Sequence, residues 1–149
     1  IQMIKAFSSL INGGRVMRPH VVREIDSDSQ KKQIEPVVES QVIDERTSQI
    51  IKKMLESTVQ HGEYKWSIPK GYRVGGKTGT AQIPLQGHYD ASKTIASFIG
   101  FAPVEKPRFI ALVVLKEPGT SIYGSETAAP LFFEIAKELF VYYNIAPEQ

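Results

Sequence analysis

The chain has 149 residues, 42% of them hydrophobic, and 18 Lys+Arg stand against 16 Asp+Glu for a formal charge of +2. That composition supports a packed core and excludes wholesale disorder. The basic residues are scattered, with Lys31-Lys32 and Lys52-Lys53 the only doublets, so the pI near 8.8 describes a solvated surface rather than a nucleic-acid-binding one.

The length fits one compact domain or a piece of a larger one. The lack of cysteine removes disulfides and thiolate metal sites. No apolar run reaches the ~20 residues that span a bilayer, and no signal peptide is visible. The chain opens at Ile1-Gln2-Met3-Ile4, already inside an apolar pattern, so a fragment is the expectation.

The spacing of Ile1, Ile4, Phe7, Leu10 and Ile11 predicts a helix over 1–12 with one buried stripe. Gly13-Gly14 is its stop signal. Arg15 to Ile25 reads as extended, with Pro19 at an edge or in a loop. Asp26 to Lys32 is polar and turn-like, and Pro36 to Ile43 is a short extended piece. A second helix is expected over 44–60, with Asp44 as N-cap. Its apolar face is read as Ile50, Ile51, Met54, Leu55 and Val59, and Gly62 ends it. Residues 63–71 are irregular, broken by Pro69.

Three strands follow, over 72–83, 94–101 and 109–116. The short link 102–107 suits antiparallel neighbours. The continuously apolar run Ile110 to Leu115 predicts a strand covered on both faces. A closing helix over 126–144 has Leu131, Phe132, Ile135, Leu139 and Tyr142 as its expected apolar side. No internal repeat or low-complexity segment is seen. The pattern is α+β: helices, then an antiparallel β-sheet and a covering helix.

Val74-Gly75-Gly76-Lys77-Thr78-Gly79-Thr80-Ala81-Gln82 stands out. Glycine weakens a strand, so three here predict the close approach of another backbone. Thr78 and Thr80 alternate with Lys77 and Gly79 and therefore share a sheet face. Two hydroxyls and an ammonium suit an anion, and a carboxylate is a natural fit. The plainer alternative is a twisted hairpin strand with a surface lysine.

Gly71 to Thr78 also satisfies the nucleotide-binding pattern G-x-x-x-x-G-K-[ST]. That motif requires a buried strand before it and a helix after it to receive phosphate. Trp66-Ser67-Ile68-Pro69-Lys70 is no buried strand, and Gly79 and Pro84 fall where the helix should run. No apolar strand ends in a magnesium-binding Asp.

The stretch Val74 to Gln82 resembles the third motif of class B penicillin-binding proteins, the monofunctional D,D-transpeptidases of peptidoglycan synthesis. The resemblance covers nearly the whole chain. It includes Asn12-Gly13-Gly14 after the first helix, Arg18-Pro19-His20, Ala96-Ser97-Phe98-Ile99-Gly100-Phe101-Ala102-Pro103, Pro107-Arg108-Phe109 and Ala128-Ala129-Pro130. A bare K-T-G is shared with serine β-lactamases, but the Thr80-Ala81-Gln82 continuation and the flanks favour the transpeptidases. The implied fold is the C-terminal part of a penicillin-binding-protein and serine β-lactamase-like transpeptidase domain, occupying residues 1–149.

Such enzymes also need S-x-x-K, whose serine is acylated, and S-x-N. S-x-N is absent. An S-x-x-K match at Ser67-Ile68-Pro69-Lys70 lacks the helix start that such a nucleophile occupies and reads as coincidence. In the family both motifs lie upstream of a helix like 1–12, so the chain is expected to begin after them and to be inactive alone.

The resemblance implies roles. Lys77 and Thr80 are the catalytic candidates; Lys77, Thr78, Gly79, Thr80, Ala81 and Gln82 are the substrate-binding candidates. Lys77, Thr78 and Thr80 would hold the substrate's terminal carboxylate, and the Thr80 N–H would form half of an oxyanion hole. Residues Gly79 to Gln82 would pair with the substrate as an added strand. Implied partners are peptidoglycan stem peptides ending in D-Ala-D-Ala, β-lactam antibiotics, the upstream part of the same domain and other cell-wall synthesis proteins. No cofactor, metal or nucleic acid is implied. The implied location is the extracytoplasmic face of the bacterial membrane, anchored by a segment outside this chain. The alternative in another class is a non-catalytic cell-wall-binding module.

Other residues carry less. His20, His61 and His88 read as surface or loop residues, and Tyr64 and Trp66 as packing residues. Gly87-His88-Tyr89-Asp90 is placed in the loop after the motif strand and reads as an ordinary connection, with a border to the substrate as the alternative. Gly119 to Ser125 is expected to form a mobile loop near the site. A sheet without its upstream half would expose an apolar edge, so pairing between copies is a further expectation.

Overall fold

The computed structural model describes residues 1–27, 30–85 and 87–148. The chain divides into two compact units, Ile1–Ile51 and Lys52–Gln149. Both helix-and-sheet content and antiparallel pairing agree with the α+β expectation.

In the first unit, α1 (Gln2–Ile11) ends at Asn12, and the chain turns through Gly13 (φ +82°) and Gly14 (φ +88°). The left-handed backbone is one reason for glycine here. Space is the other: a Cβ on Gly14 would stand 1.8 Å from the Ile43 carbonyl oxygen. The expected stripe is buried only toward its end, at Ile11, while Ile1 is exposed.

Strand β1 (Arg15–Met17) pairs antiparallel with β4 (Val38–Gln41), and β2 (Glu24–Ser27) pairs with β3 (Gln30–Gln33). The extended stretch expected over 15–25 is therefore two strands separated by an irregular piece containing Pro19. The polar run Asp26 to Lys32 is mostly hairpin rather than turn, with Asp28 and Ser29 outside the described residues. Its strands are solvent-exposed, so polar residues suit both faces; Lys31 and Glu24 pair across it at 2.9 Å.

Helix α2 (Glu45–Gln60) starts as expected, with Asp44 Oδ1 accepting the Thr47 N–H at 2.6 Å. Its buried face differs from the expected one. Ser48, Lys52, Glu56 and Val59 are buried, whereas Ile50 and Met54 are exposed. Hydropathy misleads because each buried polar group is paired, which removes most of the cost of burying it. Ser48 Oγ donates to the Leu10 carbonyl and accepts the Gly13 N–H. Lys52 Nζ donates to the Glu105 carbonyl at 2.9 Å. Glu56 takes a two-pronged bond from Arg73 at 2.5 and 2.7 Å.

In the second unit, β5 (Gly75–Leu85), β6 (His88–Ala102) and β7 (Phe109–Lys116) form an antiparallel sheet in that order. Helix α3 (Ala128–Tyr142) packs on one face of it. The core joins Phe98 and Val113 of the sheet to Phe132, Phe133, Ala136 and Phe140 of the helix, with Val74 and Tyr64 from the preceding segment.

Three expectations are corrected here. The apolar side of α3 is Ala128, Ala129, Phe132, Phe133, Ala136 and Phe140, whereas Leu131, Ile135 and Tyr142 are exposed. The helix is apolar nearly all round, so periodicity offered two overlapping stripes. The alanine-containing stripe lets the helix approach the sheet. Second, β7 is not covered on both faces among the described residues, since Val114 is 53% exposed. Only one face of this edge strand meets α3. Trp66 is a third correction: it is 85% exposed beside Lys65, while Tyr64 is buried as expected.

Candidate functional site

All six candidate residues, Lys77 to Gln82, lie consecutively on β5. Among the described residues β5 is an edge strand, so alternate N–H and C=O groups along it have no strand partner. The strand is mounted on β6 in continuous antiparallel register, Lys77 opposite Ile99 and Thr80 opposite Ala96. What the glycines admit is mainly aromatic. A Cβ on Gly75 would meet the Phe101 ring at 2.4 Å, and one on Gly76 the Phe98 ring at 2.6 Å. A backbone atom, the Ile99 carbonyl oxygen, comes close only at Gly76, at 2.8 Å. Glycine at these positions therefore seats the motif strand on the core.

The motif's end is marked by a register change. Gln82 lies opposite Thr94, but Ile83 lies opposite Asp90, leaving 91–93 as a bulge. Bulges bend a strand and re-aim what it carries. Beside the bend is an open groove of about 750 Å³ lined by Thr80, Ala81, Gln82, Tyr89, Thr94, Ile122 and Tyr123.

Lys77 is exposed, with Nζ 3.0 Å from the Thr78 carbonyl oxygen and 3.5 Å from Thr78 Oγ1. Thr80 is exposed, and its Oγ1 accepts the Gly124 N–H at 3.1 Å. The ammonium and both hydroxyls thus belong to one stretch of accessible strand. Arg73, just before β5, has its pKa raised by hydrogen bonding to Glu56, and it also pairs with Glu105. That network holds the strand's entry to α2 and to the β6–β7 link.

The nucleotide-binding geometry is ruled out, because Lys77 lies within β5, which runs on as strand to Leu85 where that motif needs a helix. Ser67 ends a short 3-10 turn, Lys65–Ser67, and Ile68 is extended, so Lys70 does not stand one helical turn on. The sequence holds a second S-x-x-K match, Ser29-Gln30-Lys31-Lys32. Ser29 is outside the described residues, and both lysines lie on the extended β3. His20, His61 and His88 are exposed, and no cluster able to hold a metal occurs among the described residues.

The segment after β7 was expected near the site, and it is there. It is tied at two points: Thr94 Oγ1 donates to the Ile122 carbonyl at 2.7 Å, and the Gly124 N–H reaches Thr80. Thr94, Ile122, Tyr123 and Gly124 were missed as site residues. The Gly119–Ser125 loop signal was the only hint, since nothing local to these residues announces a contact 44 positions away.

An extended edge strand with an ammonium and two hydroxyls beside a groove has the geometry to which an extended, anionic-ended peptide can add as a strand. The chain belongs to the penicillin-binding protein transpeptidase domain family, whose model matches residues 1–137. It is 39% identical to stage V sporulation protein D of Bacillus subtilis over 153 residues, covering all of this chain and 24% of that protein. It is 36% identical to the peptidoglycan D,D-transpeptidase FtsI of Buchnera aphidicola over 116 residues, 75% of this chain and 20% of that protein. The crystal structure of penicillin-binding protein 3 from Mycobacterium tuberculosis, complexed with ampicillin, superposes with a TM-score of 0.81 at 25% identity. That match covers 99% of this chain and 35% of the other. The chain thus spans about a quarter of the length of the curated relatives it matches. Among the described residues no helix is long and apolar enough to cross a membrane.

Proposed function

We propose that residues 1–149 are the C-terminal portion of a D,D-transpeptidase domain that cross-links peptidoglycan stem peptides, with its nucleophile outside this chain. One observation carries it. Lys77, Thr78 and Thr80 stand together on an accessible edge strand beside a groove.

In this reading a D-Ala-D-Ala stem lies antiparallel or parallel along Gly79 to Gln82, bonded through the strand's free edge. The Lys77 ammonium and the hydroxyls of Thr78 and Thr80 hold its terminal carboxylate. A serine hydroxyl from outside the chain attacks the penultimate D-Ala carbonyl carbon. The C–N bond to the terminal D-Ala breaks, and that amine leaves with the proton the hydroxyl sheds. The Thr80 N–H supports the oxygen's developing charge, a contribution of about 3 kcal/mol for one such donor. An amine of a neighbouring stem then attacks the ester, the C–O bond breaks, and the serine hydroxyl is restored. β-Lactams, which carry a carboxylate beside a strained amide, would acylate the same serine. The protein would work at the outer face of the bacterial membrane, alongside the upstream part of its domain and other wall-synthesis proteins.

The test is labelling of the full-length protein with a fluorescent penicillin. Lys77→Ala is expected to slow labelling by roughly 10- to 100-fold, the loss of one hydrogen bond to a charged group. Equal rates would refute the role of Lys77. Failure of the unaltered full-length protein to label at all would favour a wall-binding module without a nucleophile.

A further inference from the structure

We propose that Gly124 is a positioning residue for the Thr80 hydroxyl, acting from the segment between β7 and α3. The inference rests on the transpeptidase reading of the Lys77–Gln82 strand.

A threonine hydroxyl has one proton to donate and two lone pairs to accept with, and its proton rotates to suit its surroundings. The Gly124 N–H, at 3.1 Å, occupies one lone pair of Thr80 Oγ1. A backbone N–H cannot accept a proton in return. Its presence therefore turns the O–H away from the segment and leaves it as a donor for whatever lies on the exposed side. A carboxylate, which only accepts, is the complement of a hydroxyl fixed in that sense.

Three further contacts hold this N–H in place. Thr94, 2% exposed, donates Oγ1 to the Ile122 carbonyl at 2.7 Å. Thr127 Oγ1 donates to the Tyr123 carbonyl at 2.7 Å, and the Gly124 carbonyl accepts the Ala129 N–H at 2.9 Å. Glycine at 124 is required by space. A Cβ there would stand 2.6 Å from the carbonyl oxygens of both Gly79 and Ser97. These are backbone atoms of β5 and β6, which cannot swing aside as a side-chain tip could. A side chain at 124 lifts the segment off the strands and takes the N–H away from Thr80.

The experiment compares acylation of the full-length protein by benzylpenicillin and by its methyl ester. The free acid is expected to react faster, and Gly124→Ala is expected to lower that acid-to-ester ratio by about tenfold. The ester rate should change far less. In a Thr80→Val background Gly124→Ala should leave the ratio where Thr80→Val put it. If Gly124→Ala does not fold, Thr94→Val decides, because it removes the Ile122 anchor at nearly constant shape. It should lower the ratio several-fold, and Thr94→Ser should restore it. A ratio unmoved by these variants, with both rates falling together, would mean that Gly124 only packs, and the inference would be overturned. Lys77→Ala separates this failure from that of the underlying reading. If the unaltered protein shows no preference for the acid, or Lys77→Ala does not reduce one, the transpeptidase reading itself fails.

Discussion

The two compact units are held together by different means. Residues 1–51 bury Ser9, Ile11, Gly13, Gly14 and Ser48, and none of their four strands has a buried residue. Their fixed point is a glycine corner where backbone and hydroxyl bonds meet. Residues 52–149 instead enclose an aromatic core of Phe98, Phe132, Phe133 and Phe140. The difference shows why the candidate site lies where it does. A polar, glycine-rich edge strand adds little burial of its own, so it needs a rigid apolar layer beneath it.

The largest expected effect breaks that layer. Phe98 is 0% exposed, and its ring centroid lies 4.8 Å from Phe132 and 5.4 Å from Tyr64. Phe98→Ala should destabilise the second unit by about 3–5 kcal/mol, read from its denaturation midpoint. Because Gly76 sits against the same ring, amide exchange along β5 should accelerate as well. Normal exchange in β5 would show that the motif strand is held independently of the core.

A smaller effect is expected in the first unit. Gly14→Ala forces a side chain into a left-handed position, which costs about 1–2 kcal/mol before any clash. The added Cβ also meets the Ile43 carbonyl oxygen. The Val42 N–H, which donates to the Gly14 carbonyl at 2.9 Å, should then exchange faster. Exchange in β5 should stay unchanged. A matching loss of protection in β5 would undo the contrast between the units.

The same contrast explains what could be read from the sequence. Helix starts, the three long strands and the motif Lys77 to Gln82 were legible because they depend on local periodicity, caps and glycines, but β6 begins at His88, so His88 to Asp90 belong to a strand and not to the expected connection. Asp44 marked the start of α2, and Gly13-Gly14 marked the end of α1. Burial was less legible wherever a distant partner decides it. Lys52 and Glu56 lie outside the apolar face read for α2, yet they are buried because Glu105 and Arg73 meet them. Leu131 and Ile135 read as core, yet the alanine stripe of α3 has the sheet. Thr80 was legible as a candidate residue on its strand; its contact with Gly124 was not, since that contact is closed by the fold alone.

The smallest effect concerns a contact with no core at all. Asp44 is fully exposed, and hydrogen bonding from Thr47, side chain first and backbone second, holds its carboxyl below the usual range. A carboxyl with a lowered folded pKa stabilises the folded state above its unfolded value, near 3.9. That stabilisation is complete above about pH 4 and is lost as pH falls through the lowered folded value. The Thr47 N–H should therefore lose protection on acidification in this window. Asp44→Asn keeps a capping oxygen that does not titrate, so it should flatten the pH dependence while leaving the helix start intact. NMR titration of the Asp44 carboxylate gives the direct check. A midpoint at or above the ordinary value would mean that the cap does not form in solution. The predicted depression with unchanged exchange in the aromatic core would show that the α2 cap and the second unit respond to acid separately.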